Sequence, residues 1–334
     1  MPTVLERLNH ALQHAMQTDE RVYLLGEDIL DPYGGAFKVT RGLSTCFPER
    51  VLTTPISEAA IMGLCNGMAL RGLRPVAEIM FGDFVTLIAD QLINHAAKFR
   101  WMYNEQVRVP LVVRAPMGGR RGYGPTHSQS LEKLFLGVPG LRVLAPNTLS
   151  DPAQLLEDSI FQDDGPVLFV EHKLLYTRPL LEAGSAELAD FQIETIGSAA
   201  PTQVLRFAGV PQAQLSIATY GYNFELARAA ALQLAYEQEI FAEIVLFSQL
   251  SPFELTPLFD SVNRTGRLLT VEEGTLTLGW GAEVAAQVAE KLPGVRLRRA
   301  AALDLPIANS KTLEDAILPS QERISSLIQD LLVD

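Results

Sequence analysis

Val22-Tyr23-Leu24-Leu25-Gly26, closed by the acidic pair Glu27-Asp28, is the stretch from which the fold can be read. A short apolar run that stops at two acids has the length and composition of a strand ending at the protein surface, not of a helix. Upstream, Val4, Leu5, Leu8, Ala11, Leu12 and Ala15 recur at helical spacing and predict an amphipathic helix over 4–18. Downstream, the turn formers Asp31-Pro32-Tyr33-Gly34-Gly35 predict a loop. Val51 to Thr54 then leads into a small-residue helix running from Ser57 to about Leu70. Arg74–Ile79 reads as a strand, Thr86–Phe99 as a helix, and Val109–Arg114 as a buried strand. Val143-Leu144 and Val167–Glu171 add two more. Short apolar strands alternating with helices imply an α/β fold with a parallel sheet covered on both faces.

The stretch Gly118-Gly119-Arg120-Arg121-Gly122-Tyr123-Gly124-Pro125 is incompatible with regular structure and predicts a loop, with a helix beginning near Leu131. Residues 176–213 break the alternation and read as a linker. After it the rhythm resumes, with strands at Leu215–Tyr220, Ala242–Phe247 and Arg267–Glu272 and helices over Glu225–Glu237 and from Gly279-Trp280-Gly281. The expected organisation is a first domain over 1–175, the linker, and a smaller α/β domain over 214–334.

The bulk properties exclude several classes. With 334 residues, 48% hydrophobic and 20% charged, the chain has the balance of a soluble protein with a large core. A formal net charge of -12 disfavours nucleic acid as a partner, because a phosphate backbone would be repelled. No apolar run is long enough to span a bilayer, which argues against a membrane partner. The N-terminal residues carry neither a secretory nor an organellar signature, so a cytoplasmic location is expected. Cys46 and Cys65 both fall among apolar neighbours and suit a reducing compartment. No His/Cys cluster has metal-ligand spacing. His10 and His14 share a helix face but lack a third ligand, while His95 and His172 read as structural.

Three places could carry chemistry. In Pro55-Ile56-Ser57-Glu58-Ala59-Ala60-Ile61-Met62-Gly63, Ser57 can cap a helix whose first turn favours the Glu58 carboxylate. The alternative is a carboxyl at a strand end, flanked by apolar residues and able to pass a proton to a ligand. In Gly124-Pro125-Thr126-His127-Ser128-Gln129-Ser130, His127 is either a satisfied loop residue or an acid/base group. Phe81 and Phe84, just beyond the strand ending at Ile79, are either core or a platform for a flat ring.

Taken in order, Leu24-Leu25-Gly26-Glu27-Asp28, Tyr33-Gly34-Gly35-Ala36-Phe37-Lys38-Val39-Thr40, Thr54-Pro55-Ile56-Ser57-Glu58 and Gly72-Leu73-Arg74-Pro75-Val76-Ala77-Glu78 resemble the beta subunits of 2-oxoacid dehydrogenase decarboxylating components. His127-Ser128-Gln129-Ser130, Pro139-Gly140-Leu141, Thr265 through Gly274 and Gly279-Trp280-Gly281-Ala282-Glu283 continue the match over nearly the whole chain. The resemblance implies a transketolase-like pyrimidine-binding domain followed by a transketolase C-terminal domain. It also implies thiamine diphosphate shared with an alpha subunit, which supplies the magnesium site through a Gly-Asp-Gly motif. Here Gly82-Asp83 is followed by Phe84, so the motif is absent and the chain is expected to form half a site.

On the same basis Ile56, Glu58, Met80 and Phe84 contact the cofactor, with Glu58 facing the aminopyrimidine and Phe84 stacking on it. Met80 stands where branched-chain-like members more often have glutamine. His127 matches the histidine that assists acyl transfer to the lipoyl group. Relatives also hold potassium with backbone carbonyls, and the matching positions are Val112, Ile160, Asp163 and Gly165. The implied partners are an alpha subunit in a two-alpha two-beta heterotetramer, a lipoyl transacylase core and a small 2-oxo acid. Pyruvate is the leading substrate, with a branched-chain 2-oxo acid, acetoin or carboligase chemistry as alternatives. A scaffold subunit without chemistry is disfavoured by the joint presence of Glu58, Phe84 and His127.

Overall fold

The computed structural model describes residues 1–182 and 184–333. Ala183, inside the expected linker, and Asp334, inside the expected second domain, lie outside the described residues. The chain divides into two compact units, one of residues 1–118 with 134–180 and one of residues 119–133 with the stretch from Leu181 on. The loop that chain order alone leaves in the first half is thus built into the second unit.

The first unit opens with α1 (Val4–Thr18), where the expected helix falls. Its stripe of Val4, Leu8, Ala11, Leu12, Ala15 and Met16 is buried, and each large apolar side chain so covered contributes about 1.5–3 kcal/mol. Thr3 and Glu6 close a reciprocal capping box that satisfies two otherwise orphaned amides. Next come β1 (Val22–Gly26), α2 (Leu43–Cys46), β2 (Val51–Thr53), α3 (Glu58–Leu70), β3 (Arg74–Glu78), α4 (Ala97–Met102), β4 (Val112–Met117), β5 (Arg142–Leu144), α5 (Pro152–Phe161) and β6 (Val167–His172). These six strands lie in the order β5-β6-β4-β3-β1-β2, all parallel. Every residue of β4 and β6 is buried, as strands covered on both faces require. The chain steps from β1 to β2 on one side and then crosses back to β3 on the other. The C-terminal end of β1 is therefore the switch point of the sheet, where open α/β sheets leave a crevice.

Two local expectations are corrected. The helix expected over Thr86–Phe99 is a 3-10 segment at Gly82–Ile88, a π segment at Gln91–Ala96 and then α4. Side chains cause this: Thr86 Oγ1 donates to the Asp83 carbonyl at 3.0 Å, and Asn66 Nδ2 takes the Gln91 carbonyl at 2.9 Å. Such groups entering the ladder shift its register. Cys65 is buried, and burial pushes its thiol up to about 12. Cys46, by contrast, is exposed at the end of the short α2, not set among apolar neighbours.

The second unit contains β7 (Phe191–Ile196), β8 (Thr202–Phe207), β9 (Leu215–Tyr220), α6 (Asn223–Gln238), β10 (Ala242–Phe247), β11 (Gln249–Ser251), α7 (Thr256–Thr265), β12 (Arg267–Thr275), α8 (Trp280–Lys291), β13 (Arg296–Ala302), α9 (Lys311–Ile317) and α10 (Gln321–Val333). Its sheet runs β13-β12-β9-β10-β8-β7. Part of the stretch read as a linker is therefore sheet: β7 and β8 form an antiparallel pair at its edge. Among the described residues no helix is long and apolar enough to cross a membrane.

Candidate active site

β2 ends at Thr53, and the Thr54 N–H donates to the Gly26 carbonyl at 3.0 Å, tying the next turn to the end of β1. Ile56 is 84% exposed at the tip of this turn. Ser57 precedes α3, but its side chain makes no capping bond, so a purely capping role for the motif loses its main support. Glu58 opens the helix with its side chain buried and, among the described residues, with no hydrogen bond or ion pair. An unengaged carboxyl on a largely covered residue at the head of a helix is poised to receive a partner from outside the chain.

Glu27 directly follows β1, and nothing in the sequence alone marks it for a role. It is buried, and its Oε1 has no hydrogen-bond partner. Burial, then the charge of Glu58, raise its pKa above the usual carboxylate range, opposed by the Ser57 backbone N–H.

On the other flank of β1, β3 brings Glu78 and then Met80, which is half-buried. Glu78 accepts from Arg114 Nη1 at 2.7 Å, and Arg114 Nε and Nη2 reach Glu171 at 2.8 and 2.7 Å. The Tyr176 hydroxyl also donates to Glu171, at 2.5 Å. Arg114 is wholly buried; burial alone would lower its pKa, but Glu171 and Glu78 outweigh it and the pKa is raised. This network binds the C-terminal ends of β3, β4 and β6 into one floor. Gly35 packs so closely on it that a Cβ would collide with Glu78 Oε1, and its φ of +78° suits glycine alone. Phe84, half-buried in the 3-10 segment, lies edge-on to Phe81 at 5.8 Å. Phe81 meets Phe37 at 5.5 Å, and Phe37 meets Tyr176 at 5.4 Å. The aromatic chain thus ends on the Arg114 network.

His127 lies in the second unit, half-buried, with Nδ1 3.0 Å from Thr126 Oγ1. The structure groups Ile56, Glu58, Met80 and Phe84 at the strand ends of the first unit and sets His127 in the other.

The family model of the transketolase pyrimidine-binding domain matches residues 1–179, and that of the transketolase C-terminal domain matches 208–324. The acetoin:2,6-dichlorophenolindophenol oxidoreductase beta subunit of Cupriavidus necator is 38% identical, with 96% of this chain and 94% of that one covered. This chain belongs to the beta-subunit family of pyruvate and acetoin dehydrogenase decarboxylating components. The mitochondrial pyruvate dehydrogenase beta subunit of Caenorhabditis elegans is 35% identical over 99% of this chain and 92% of its own. A split-gene transketolase structure superposes with a TM-score of 0.74 at 19% identity, over 99% of this chain and 98% of that one, which confirms the fold.

Members of this family bind thiamine diphosphate through the pyrimidine-binding domain. The unengaged Glu58 carboxyl, the orphaned Glu27 oxygen and the Phe84 edge fit its pyrimidine end: an acid for a ring nitrogen and an apolar face for a ring. Two of the four carbonyl positions expected to hold potassium are already engaged within the chain. The carbonyls of Ile160 and Asp163 both accept from Arg74 Nη1, at 2.5 and 3.3 Å. Val112 lies in β4 between β3 and β6. A guanidinium of this chain supplies the cationic partner for two of the carbonyls and would repel a metal ion beside it. Among the described residues no cluster of His, Cys, Asp or Glu could hold a metal.

Proposed function

We propose that this chain is the beta subunit of a dehydrogenase that oxidatively decarboxylates a small 2-oxo acid, pyruvate first, and passes the acyl group to a lipoyl domain. The observation that carries the reading is Glu58: a residue 7% exposed whose carboxyl has no partner among the described residues, opening a helix at the switch point of the sheet. When bound, thiamine diphosphate supplies the electron sink for loss of carbon dioxide. Glu58 would share a proton with the pyrimidine ring nitrogen. Phe84 would cover one ring face, with Ile56 and Met80 closing the edges. His127 would give or take a proton during acyl transfer, for which an imidazole is suited near neutral pH.

An alpha chain completes the assembly, most simply as two alpha and two beta chains, and brings the magnesium and diphosphate ligands that this sequence lacks. The 38% identity to an acetoin-oxidising relative supports a second reading, with acetoin as the donor. Co-expression with the alpha chain, followed by reduction of an artificial acceptor with pyruvate, branched-chain 2-oxo acids and acetoin side by side, tests the reading. Turnover on pyruvate with acylation of an isolated lipoyl domain is expected. Turnover on acetoin alone replaces the first reading with the second, and turnover without lipoyl acylation moves the chain to carboligase chemistry.

A further inference from the structure

Residues 119–133 carry His127, and two acidic side chains of the second unit explain how they are held. The Gly119 N–H donates to Glu273 Oε1 at 2.7 Å. The Arg120 N–H donates to Glu314 Oε1 at 2.6 Å, and the Gly122 N–H to Glu314 Oε2 at 3.2 Å. Both carboxylates are buried, at 2% and 1% exposed. The Arg120 side chain answers the charge: its Nε lies 3.4 Å from Glu273 Oε2, and Nη2 donates to the Pro319 carbonyl.

The backbone is bent to make this possible. Arg120 sits at φ +69° and Gly122 at +67°, a left-handed path that a non-glycine residue keeps only where its surroundings over-determine it. The far end is anchored too. The Tyr220 hydroxyl donates to Glu132 Oε1 at 2.5 Å, and Lys133 Nζ to the Thr277 carbonyl at 2.7 Å. His127 lies between these anchors. Hydrogen bonds from amides to a carboxylate are stronger than neutral ones, and in a buried site a lost acceptor leaves the amides unpaired.

We propose that Glu273 and Glu314 are positioning residues for the His127 loop, and that the acyl-transfer half of the reaction depends on the conformation they impose. The role of His127 itself rests on the function proposed above. The test uses the co-expressed alpha/beta assembly carrying Glu314→Ala, Glu314→Gln or Glu273→Gln, with His127→Ala as a reference. Two readouts are taken: hydrogen exchange of peptides spanning 119–127, and the ratio of lipoyl-domain acylation to artificial-acceptor reduction.

In Glu314→Ala, exchange over 119–127 should quicken by about tenfold or more, the scale of one lost charge-assisted bond. The rest of the second unit should keep its protection. Acylation should fall by about the same factor, while acceptor reduction stays within about twofold. Glu314→Gln should recover part of both, since its amide oxygen still accepts one N–H, and Glu273→Gln should act as a milder Glu314→Ala. Unchanged exchange over 119–127 in both Glu314→Ala and Glu273→Gln overturns the clamp. A loosened loop with acylation and acceptor reduction lowered by equal factors overturns its link to acyl transfer. If Glu314→Ala does not assemble, the two glutamine variants decide both points by the same outcomes. If His127→Ala leaves acylation at the parent level, the histidine's role fails, and the exchange readout still decides the clamp.

Discussion

Replacing Glu272 by glutamine should stabilise the protein increasingly as pH rises. Glu272 lies on β12 and is fully buried. One carboxyl oxygen accepts from the Gly281 N–H at 2.8 Å, and the other has no hydrogen-bond partner. Burial pushes its pKa from 4.5 up to about 8, with a contribution from the charge of Glu132; the Gly281 and Trp280 amides act in the opposite direction. In the unfolded chain the same carboxyl ionises in the ordinary range. Below that range both states are protonated and nothing is lost. Above it the unfolded state releases a proton that the folded state retains, so stability falls with rising pH until the folded carboxyl titrates near 8. At about 1.4 kcal/mol per pH unit, the loss between about pH 5 and about pH 8 is on the order of 3 kcal/mol. Glutamine has no proton to release and is free of this slope. Urea unfolding followed by fluorescence reads the site directly, because Trp280 is 1% exposed and edge-on to Tyr220 and Phe247 at 5.2 and 5.6 Å. The stability difference between variant and parent should grow with pH toward about 3 kcal/mol. A difference that stays flat across the window, within about 0.5 kcal/mol, refutes the reasoning.

Arg114→Met should destabilise the protein by about 3–5 kcal/mol, because it strands the buried Glu78 and Glu171 carboxylates without their shared cation; a loss below about 1 kcal/mol in urea unfolding would mean that water or rearrangement replaces the arginine. Exchanging potassium for sodium or choline should leave activity and unfolding midpoint unchanged, because Arg74 already serves the Ile160 and Asp163 carbonyls. A potassium-dependent midpoint would mean that the guanidinium moves aside for the ion.

Much of this architecture is legible in the sequence because it is written locally. β1, β3, β4 and β6 are apolar runs of strand length, and α1 repeats its buried residues at helical spacing. Glu58 is legible as a carboxyl at a strand end. That it has no partner is not, since nothing in Ile56-Ser57-Glu58 tells whether Ser57 caps the helix. β7 is hard to see because most of its residues face away from the core at a sheet edge, which weakens the alternation that marks a strand. Glu27 meets Glu58 only through the order β3-β1-β2, a property of sheet topology. The anchoring of the glycine-rich loop is equally hidden, since its amides find carboxylates 154 and 194 residues away. Arg74 likewise reads in sequence as a strand residue, and its hold on two distant carbonyls emerges only in the fold.

The most direct measurement is the decarboxylation rate of Glu58→Gln in the alpha/beta assembly, followed with an artificial electron acceptor at saturating thiamine diphosphate. The amide is nearly the same size and can sit at the head of α3, but it cannot share a proton with the pyrimidine ring. A loss of at least about a hundredfold is expected, the scale of removing an acid/base group, with assembly and circular dichroism unchanged. A variant that turns over at the parent rate would contradict the central claim and leave Glu58 as an acidic residue in the first turn of a helix.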